Sequence, residues 1–203
     1  MQPQTIRTLS LFTGAGGLDI GFHDAGFDIV EMVEIDRRFC ETLRRNTLPD
    51  GYFGSGKVSC IDIRDYSPER VGSHGQIDLV IGGPPCQTFS AAGRRAAGVA
   101  GTTEARGTLF AEYVRILRLL NPKVFVFENV GGITGAASGR DWELIRKSFG
   151  IAGYQIHSRI LDSADYGVPQ LRKRLITFGC QVGCSTYGAK SWMSHKVATS
   201  LSA

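Results

Sequence analysis

The chain has 203 residues, 42% of them hydrophobic and 21% charged, which suits one globular domain with a sizeable core and excludes a low-complexity or disordered composition. No run of about 18 apolar residues is present to span a bilayer, and the start MQPQTIRTLS lacks the regions of a signal peptide, so no membrane partner and a cytoplasmic location are expected. The net charge of +4 permits nucleic-acid binding without requiring it.

Five cysteines, an odd number with no framework spacing, predict reduced thiols. Cys40 and Cys60 read as small buried hydrophobes. Cys180 and Cys184 form one close pair without a second pair or a histidine partner, so no metal site is expected.

In chain order, IRTLSLF predicts a strand that ends in the turn TGAGG, and LDIGFHDAGF predicts a helix closed by Gly26. FDIVEMVEI predicts the second strand, and Asp36 caps a helix over RRFCETLRRN. A Gly- and Pro-rich loop, LPDGYFGSG, leads to a short strand, KVSCIDI, and QIDLVIGG is the next strand. Residues 89–107 lack periodicity and read as a long loop, of the kind that in a compact domain is functional or disordered. TLFAEYVRILRLL is a helix that stops before Pro122, KVFVFENV a strand, and residues 142–149 a helix. YQIHSRILD and RLITFG are two strands around the turn DYGVPQ, joined with no room for a helix and therefore an antiparallel hairpin. The alternation predicts an α/β fold with a mostly parallel sheet over residues 1–179, followed by an irregular tail over 180–203.

The chemistry-bearing residues fall at predicted strand ends. Gly14, Gly16 and Gly17 follow the first strand, where missing side chains let a ligand reach the backbone at a helix N-terminus. Glu34 ends the second strand, where an acid accepts hydrogen bonds from ribose hydroxyls, and Asp62 adds a carboxylate at the end of the third. A dinucleotide, a nucleoside cofactor and a plain tight turn all fit these residues. Cys86 follows Pro84 and Pro85, whose rings fix φ near about −65° and stiffen the turn that presents the thiol. A buried structural cysteine is the alternative. Glu128 ends an apolar strand, where burial raises a carboxyl pKa and favours a proton donor, or where it simply caps the next turn. Arg172 and Arg174 lie two apart at a strand start and share one face, as phosphate or carbonyl ligands or as solvated surface.

The succession LFTGAGGLDIGF, EID, DIRD, GGPPCQTFS, RGTLF, FENV and YGVPQLRKR resembles the cytosine-C5 DNA methyltransferase family in motif order, over about residues 5 to 179. The resemblance implies a Rossmann-like fold and S-adenosylmethionine as cofactor. Phe12 and the TGAGG turn would contact the cofactor and Glu34 its ribose, with Ile35, Asp62, Ile63, Pro85 and Leu109 around its adenine or sulfonium. Cys86 would attack C6 of a cytosine in double-stranded DNA, Glu128 would hold its N3, and Arg174, aided by Arg172, would orient its O2 and nearby phosphate. The base would be flipped out of the duplex and covered by the 89–107 loop. Nothing after Gly179 resembles the family's target-recognition region or its last two motifs, so a second polypeptide supplying them, or a truncated form, is expected. The same core motifs suit a tRNA cytosine methyltransferase or a silent remnant that binds nucleic acid. A nicotinamide-dependent oxidoreductase would explain the glycine turn and Glu34 but not GPPCQ or FEN.

Overall fold

Each central strand buries side chains on both faces, as parallel strands between helical layers must. The computed structural model describes residues 5–71, 76–85, 108–135 and 139–183. Its strands are β1 (Arg7–Leu11), β2 (Asp28–Glu34), β3 (Lys57–Cys60), β4 (Leu79–Gly82), β5 (Val124–Val130), β6 (Tyr154–Asp162) and β7 (Lys173–Gln181). The helices are α1 (Gly17–Asp24), α2 (Arg37–Asn46), α3 (Thr108–Leu120) and α4 (Arg140–Ile151).

The sheet has the order β3-β2-β1-β4-β5-β7-β6. Every pairing from β3 to β5 is parallel, whereas β7 runs antiparallel to both β5 and β6. The predicted hairpin is thus present, with its second strand inserted beside β5 and β6 left at the edge. β7 also runs two residues past Gly179, to Gln181.

Strand alternation sorts the core into two layers. Leu9, Leu11, Val80, Phe125 and Phe127 pack with Phe110, Tyr113 and Leu117 of α3 and Ile145 and Phe149 of α4. On the other face Met32, Leu79, Ile81 and Val126 meet Phe22 of α1 and Leu43 of α2. Tyr113 anchors α3 to the sheet by donating its hydroxyl to the Val126 carbonyl at 2.9 Å.

α2 starts where its sequence predicts. Asp36 accepts from the Arg38 amide at 2.9 Å, and its pKa is lowered to about 2, chiefly by the hydrogen bond from the Arg38 guanidinium. Arg37, Arg38, Arg44 and Arg45 are all exposed on this helix. Cys40 is buried as expected, but Cys60 is only half-buried, because β3 lies at the open edge of the sheet. No helix among the described residues is long and apolar enough to cross a membrane.

Candidate active site

Strand order reverses between β1 and β4, so the turns leaving their carboxyl ends diverge and open a crevice. A cavity of about 470 Å³ occupies this point. Phe12 and Thr13 line it after β1, Gly82 and Gly83 at the end of β4, Glu128 on β5, and Arg172, Arg174 and Ile176 on β7 and its approach. Because β7 is antiparallel, its amino end reaches the edge at which the parallel strands finish.

The glycine turn closes one side. Phe12 has φ 55°, a left-handed conformation costing a non-glycine residue on the order of 1 kcal/mol or more, and such strain concentrates at ligand sites. Gly16, with φ 93°, is the N-cap of α1, and a Cβ there would press to 3.0 Å from Leu43. Gly14 donates its amide to Glu34 Oε2 at 2.7 Å, and Glu34 Oε1 accepts from the amides of Ile35 at 2.8 Å and Asp36 at 2.9 Å. Glu34 therefore ties the glycine turn to the end of β2, and three N–H bonds leave it acceptor capacity on the ligand side. Gly17 begins α1 and lines the cavity.

The groups assigned to an adenine lie farther along this edge. Ile35 is 62% exposed, a large apolar side chain beside a carboxylate, whereas Ile63 is 5% exposed within the core. Asp62 differs from its expected place: β3 ends at Cys60, and Asp62 caps the following turn by accepting from the Arg64 amide at 2.9 Å. The edge strand gives out there because this local turn satisfies the backbone. Leu109, at the start of α3, is half-buried against the core, and Pro85 is exposed.

Opposite the glycine turn, Glu128 and Arg174 pair through Oε1 and Nε at 2.8 Å. Burial pushes the Glu128 carboxyl above its ordinary range, and the positive charges of Arg174 and Arg172 oppose the shift. Its other oxygen, Oε2, would lie 2.5 Å from a Cβ on Gly83, so only glycine fits there while Glu128 keeps its place. Arg172 is exposed at the cavity mouth, its amide held by Asp162 Oδ1 at 2.9 Å.

Gly83, Pro84 and Pro85 lead from β4 towards Cys86. Pro84 is buried, and its carbonyl accepts from Nδ2 of the buried Asn129 at 3.0 Å, which fixes the chain two residues before Cys86. Cys86 itself and the expected 89–107 loop lie outside the described residues.

The fold and cavity define a Rossmann-like α/β domain with its ligand crevice at the β1/β4 switch point. The sequence profile of C-5 cytosine-specific DNA methylases matches residues 6–200, so the chain belongs to that family, whose members use S-adenosylmethionine. It is 40% identical over 185 residues to the Type II methyltransferase M.AquIA of Picosynechococcus sp., covering 87% of this chain and 73% of that protein. Against the Type II methyltransferase M1.HphI of Haemophilus parahaemolyticus it is 39% identical, covering 88% of this chain and 47% of that one. The solved Dnmt2 methyltransferase of S. pombe shares the fold, with a TM-score of 0.64 at 21% identity over 88% of this chain and 50% of that one. The chain thus spans about half the length of the second and third of these proteins. The family match continues past Gly179, where the motif resemblance stops.

The cofactor fits the residues present: a strained turn and helix N-terminus for its amino-acid portion, a strand-end carboxylate for its ribose, and an exposed isoleucine for a planar base. Sequence reasoning missed three residues here. They are Asn129 within FENV, Gly83 at the end of QIDLVIGG, and Asp19 in α1, the last two of which line the cavity. The signal for Asn129 was a second polar residue in an otherwise apolar strand.

Proposed function

We propose that this chain is the catalytic part of a DNA cytosine-C5 methyltransferase, acting on a cytosine flipped out of double-stranded DNA. The observation that carries this reading is the Glu128–Arg174 pair, set against Gly83 in the same cavity as the glycine turn. S-adenosylmethionine, when bound, supplies the methyl group.

Cys86 is the nucleophile of this proposal: its thiolate forms a bond to C6 of the cytosine. Glu128, biased towards its protonated form by burial, donates to N3 and draws electron density into the ring. Carbon 5 then carries carbanion character and would take the methyl group from the sulfonium, leaving a thioether; solvent takes the C5 proton as the C6–S bond breaks, and the N3 proton returns to Glu128, which restores the ring. Arg174 holds Glu128 and the base O2, and Arg172 at the mouth meets a phosphate. Phe12, Gly14, Gly16, Gly17 and Glu34 hold the amino-acid and ribose portions of the cofactor, with Ile35, Asp62, Ile63, Pro85 and Leu109 towards its adenine or sulfonium. The proposal places this chemistry in the cytoplasm and includes a second polypeptide carrying the target-recognition region.

The test is trapping on duplex DNA containing 5-fluorocytosine, whose C5 substituent cannot leave as a proton. A covalent adduct that forms with Cys86 and disappears in Cys86→Ser is expected. An adduct retained in Cys86→Ser overturns the assignment, and labelled methyl transfer to tRNA instead of DNA overturns the substrate.

A further inference from the structure

Asp19 is the third residue of α1 and is fully buried. Both of its carboxylate oxygens lack a hydrogen-bond partner of normal geometry among the described residues. Burial raises its pKa to about 6, nearby Ser10 draws it down by less, and no neighbouring cation contributes. A carboxyl group left in this state is costly to a fold, because its charge loses water and gains no ion partner. Its position supplies a reason. Asp19 lines the cavity at its glycine-turn end, beside Ser10, Thr13 and Gly17. Thr13 donates its hydroxyl to Ser10 Oγ, 3.0 Å away, and the Ser10 hydroxyl and the Asp19 amide are the groups that draw the carboxyl down, so what faces Asp19 is neutral and no cation balances it.

We propose that Asp19 is the anionic half of a cation subsite and receives the α-ammonium group of the amino-acid portion of S-adenosylmethionine. This rests on the reading that the cavity holds that cofactor. The cofactor carries two cations, and the donor chemistry separates them: an ammonium offers three N–H groups to two carboxylate oxygens, whereas a sulfonium offers none. The sulfonium must also face the methyl acceptor, on the side of Glu128. The N-terminal turn of α1, which has no side-chain cap, suits the neighbouring α-carboxylate, so the helix N-terminus and Asp19 together complement a zwitterion.

The experiment is calorimetric titration of wild-type protein, Asp19→Asn and Asp19→Ser with S-adenosylhomocysteine and with 5′-methylthioadenosine. The second ligand keeps the nucleoside and thioether but has no amino-acid group. Loss of one charge-assisted contact predicts an affinity for S-adenosylhomocysteine about tenfold to a hundredfold lower in both variants, with 5′-methylthioadenosine binding unchanged. Unchanged binding of both ligands overturns the proposal, and so does an equal loss for both, which marks a structural role. If both variants fail to fold, Asp19 is a folding residue and the proposal falls. Wild-type protein that binds neither ligand overturns the cofactor reading itself, a result distinct from any of these.

Discussion

Glu128 and Arg174 are diagonal neighbours on one face of the antiparallel β5–β7 pair: the register sets Glu128 opposite Ile176 and Arg174 opposite Val130, and the side chains close the diagonal at 2.8 Å. Strand parity does the rest. Residues 172, 174 and 176 all line the cavity, two apart, so β7 and the residue just before it deliver both arginines to a carboxylate two residues short of the end of β5. The inserted β7 is therefore part of the site as well as of the sheet.

Removing the proposed proton donor while keeping its shape separates chemistry from folding. Glu128→Gln is expected to lower methyl transfer about 10²- to 10⁴-fold, the range typical of a general acid, with S-adenosylhomocysteine affinity unchanged. Gly83→Ala should behave similarly without touching the carboxylate, because its Cβ would meet Oε2 at 2.5 Å and turn Glu128 away. Single-turnover transfer with labelled cofactor measures both. Wild-type rates in Gly83→Ala would show that the position of Glu128 against β4 has no bearing on the reaction.

Asn129 links stability to presentation of the thiol. Asn129→Ala leaves the Pro84 carbonyl without its donor, at an expected cost of about 1–3 kcal/mol. It also frees the segment leading into Cys86, so the rate of adduct formation on 5-fluorocytosine DNA should fall by more than the rate of cofactor binding. Thermal denaturation and trapping kinetics on one preparation give the two numbers.

The fold was legible because its signals are local. Asp36 capping α2 and the helix over residues 108–120 follow from nearest neighbours and helical spacing. The edge was harder: KVSCIDI reads as one short strand, yet the strand stops at Cys60, because Asp62 offers the backbone a turn instead of a ladder. Asn129 and Pro84 are 45 residues apart, and nothing near either names the other as a partner. Asp19 was invisible for a different reason. An acid in the first turn of a helix is commonplace, and only burial without a partner sets this one apart.

Glu34 holds the glycine turn through backbone amides, and its removal should act on the cofactor side alone. Glu34→Ala deletes acceptors for Gly14, Ile35 and Asp36. Affinity for S-adenosylhomocysteine should fall at least about tenfold, because the proposed charge-assisted contact to ribose and the pinned turn are lost together. Glu128 lies across the cavity, so rates extrapolated to saturating cofactor should recover most of the wild-type value. A loss confined to the saturated rate would place Glu34 in the chemistry instead.

Asp19 predicts a pH dependence whose sign is fixed by its raised pKa. In the unfolded chain the carboxyl titrates near 3.8, and in the folded, ligand-free protein near 6. Between these values the native state holds the extra proton, so this group's stabilising effect is complete below the lower value and is lost as pH rises through the upper one. Asp19→Asn keeps the shape and the polar burial but cannot ionise. The stability difference between variant and wild type should therefore shift in the variant's favour from pH 4 to pH 7, by on the order of 2 to 3 kcal/mol. Denaturant unfolding of ligand-free protein at both pH values measures it, and an excess of S-adenosylhomocysteine at pH 7 should shrink or reverse the gain, since the bound ammonium rewards the charge that the free protein bears at a cost. A difference that does not change with pH would show that Asp19 ionises in the folded protein as it does in water.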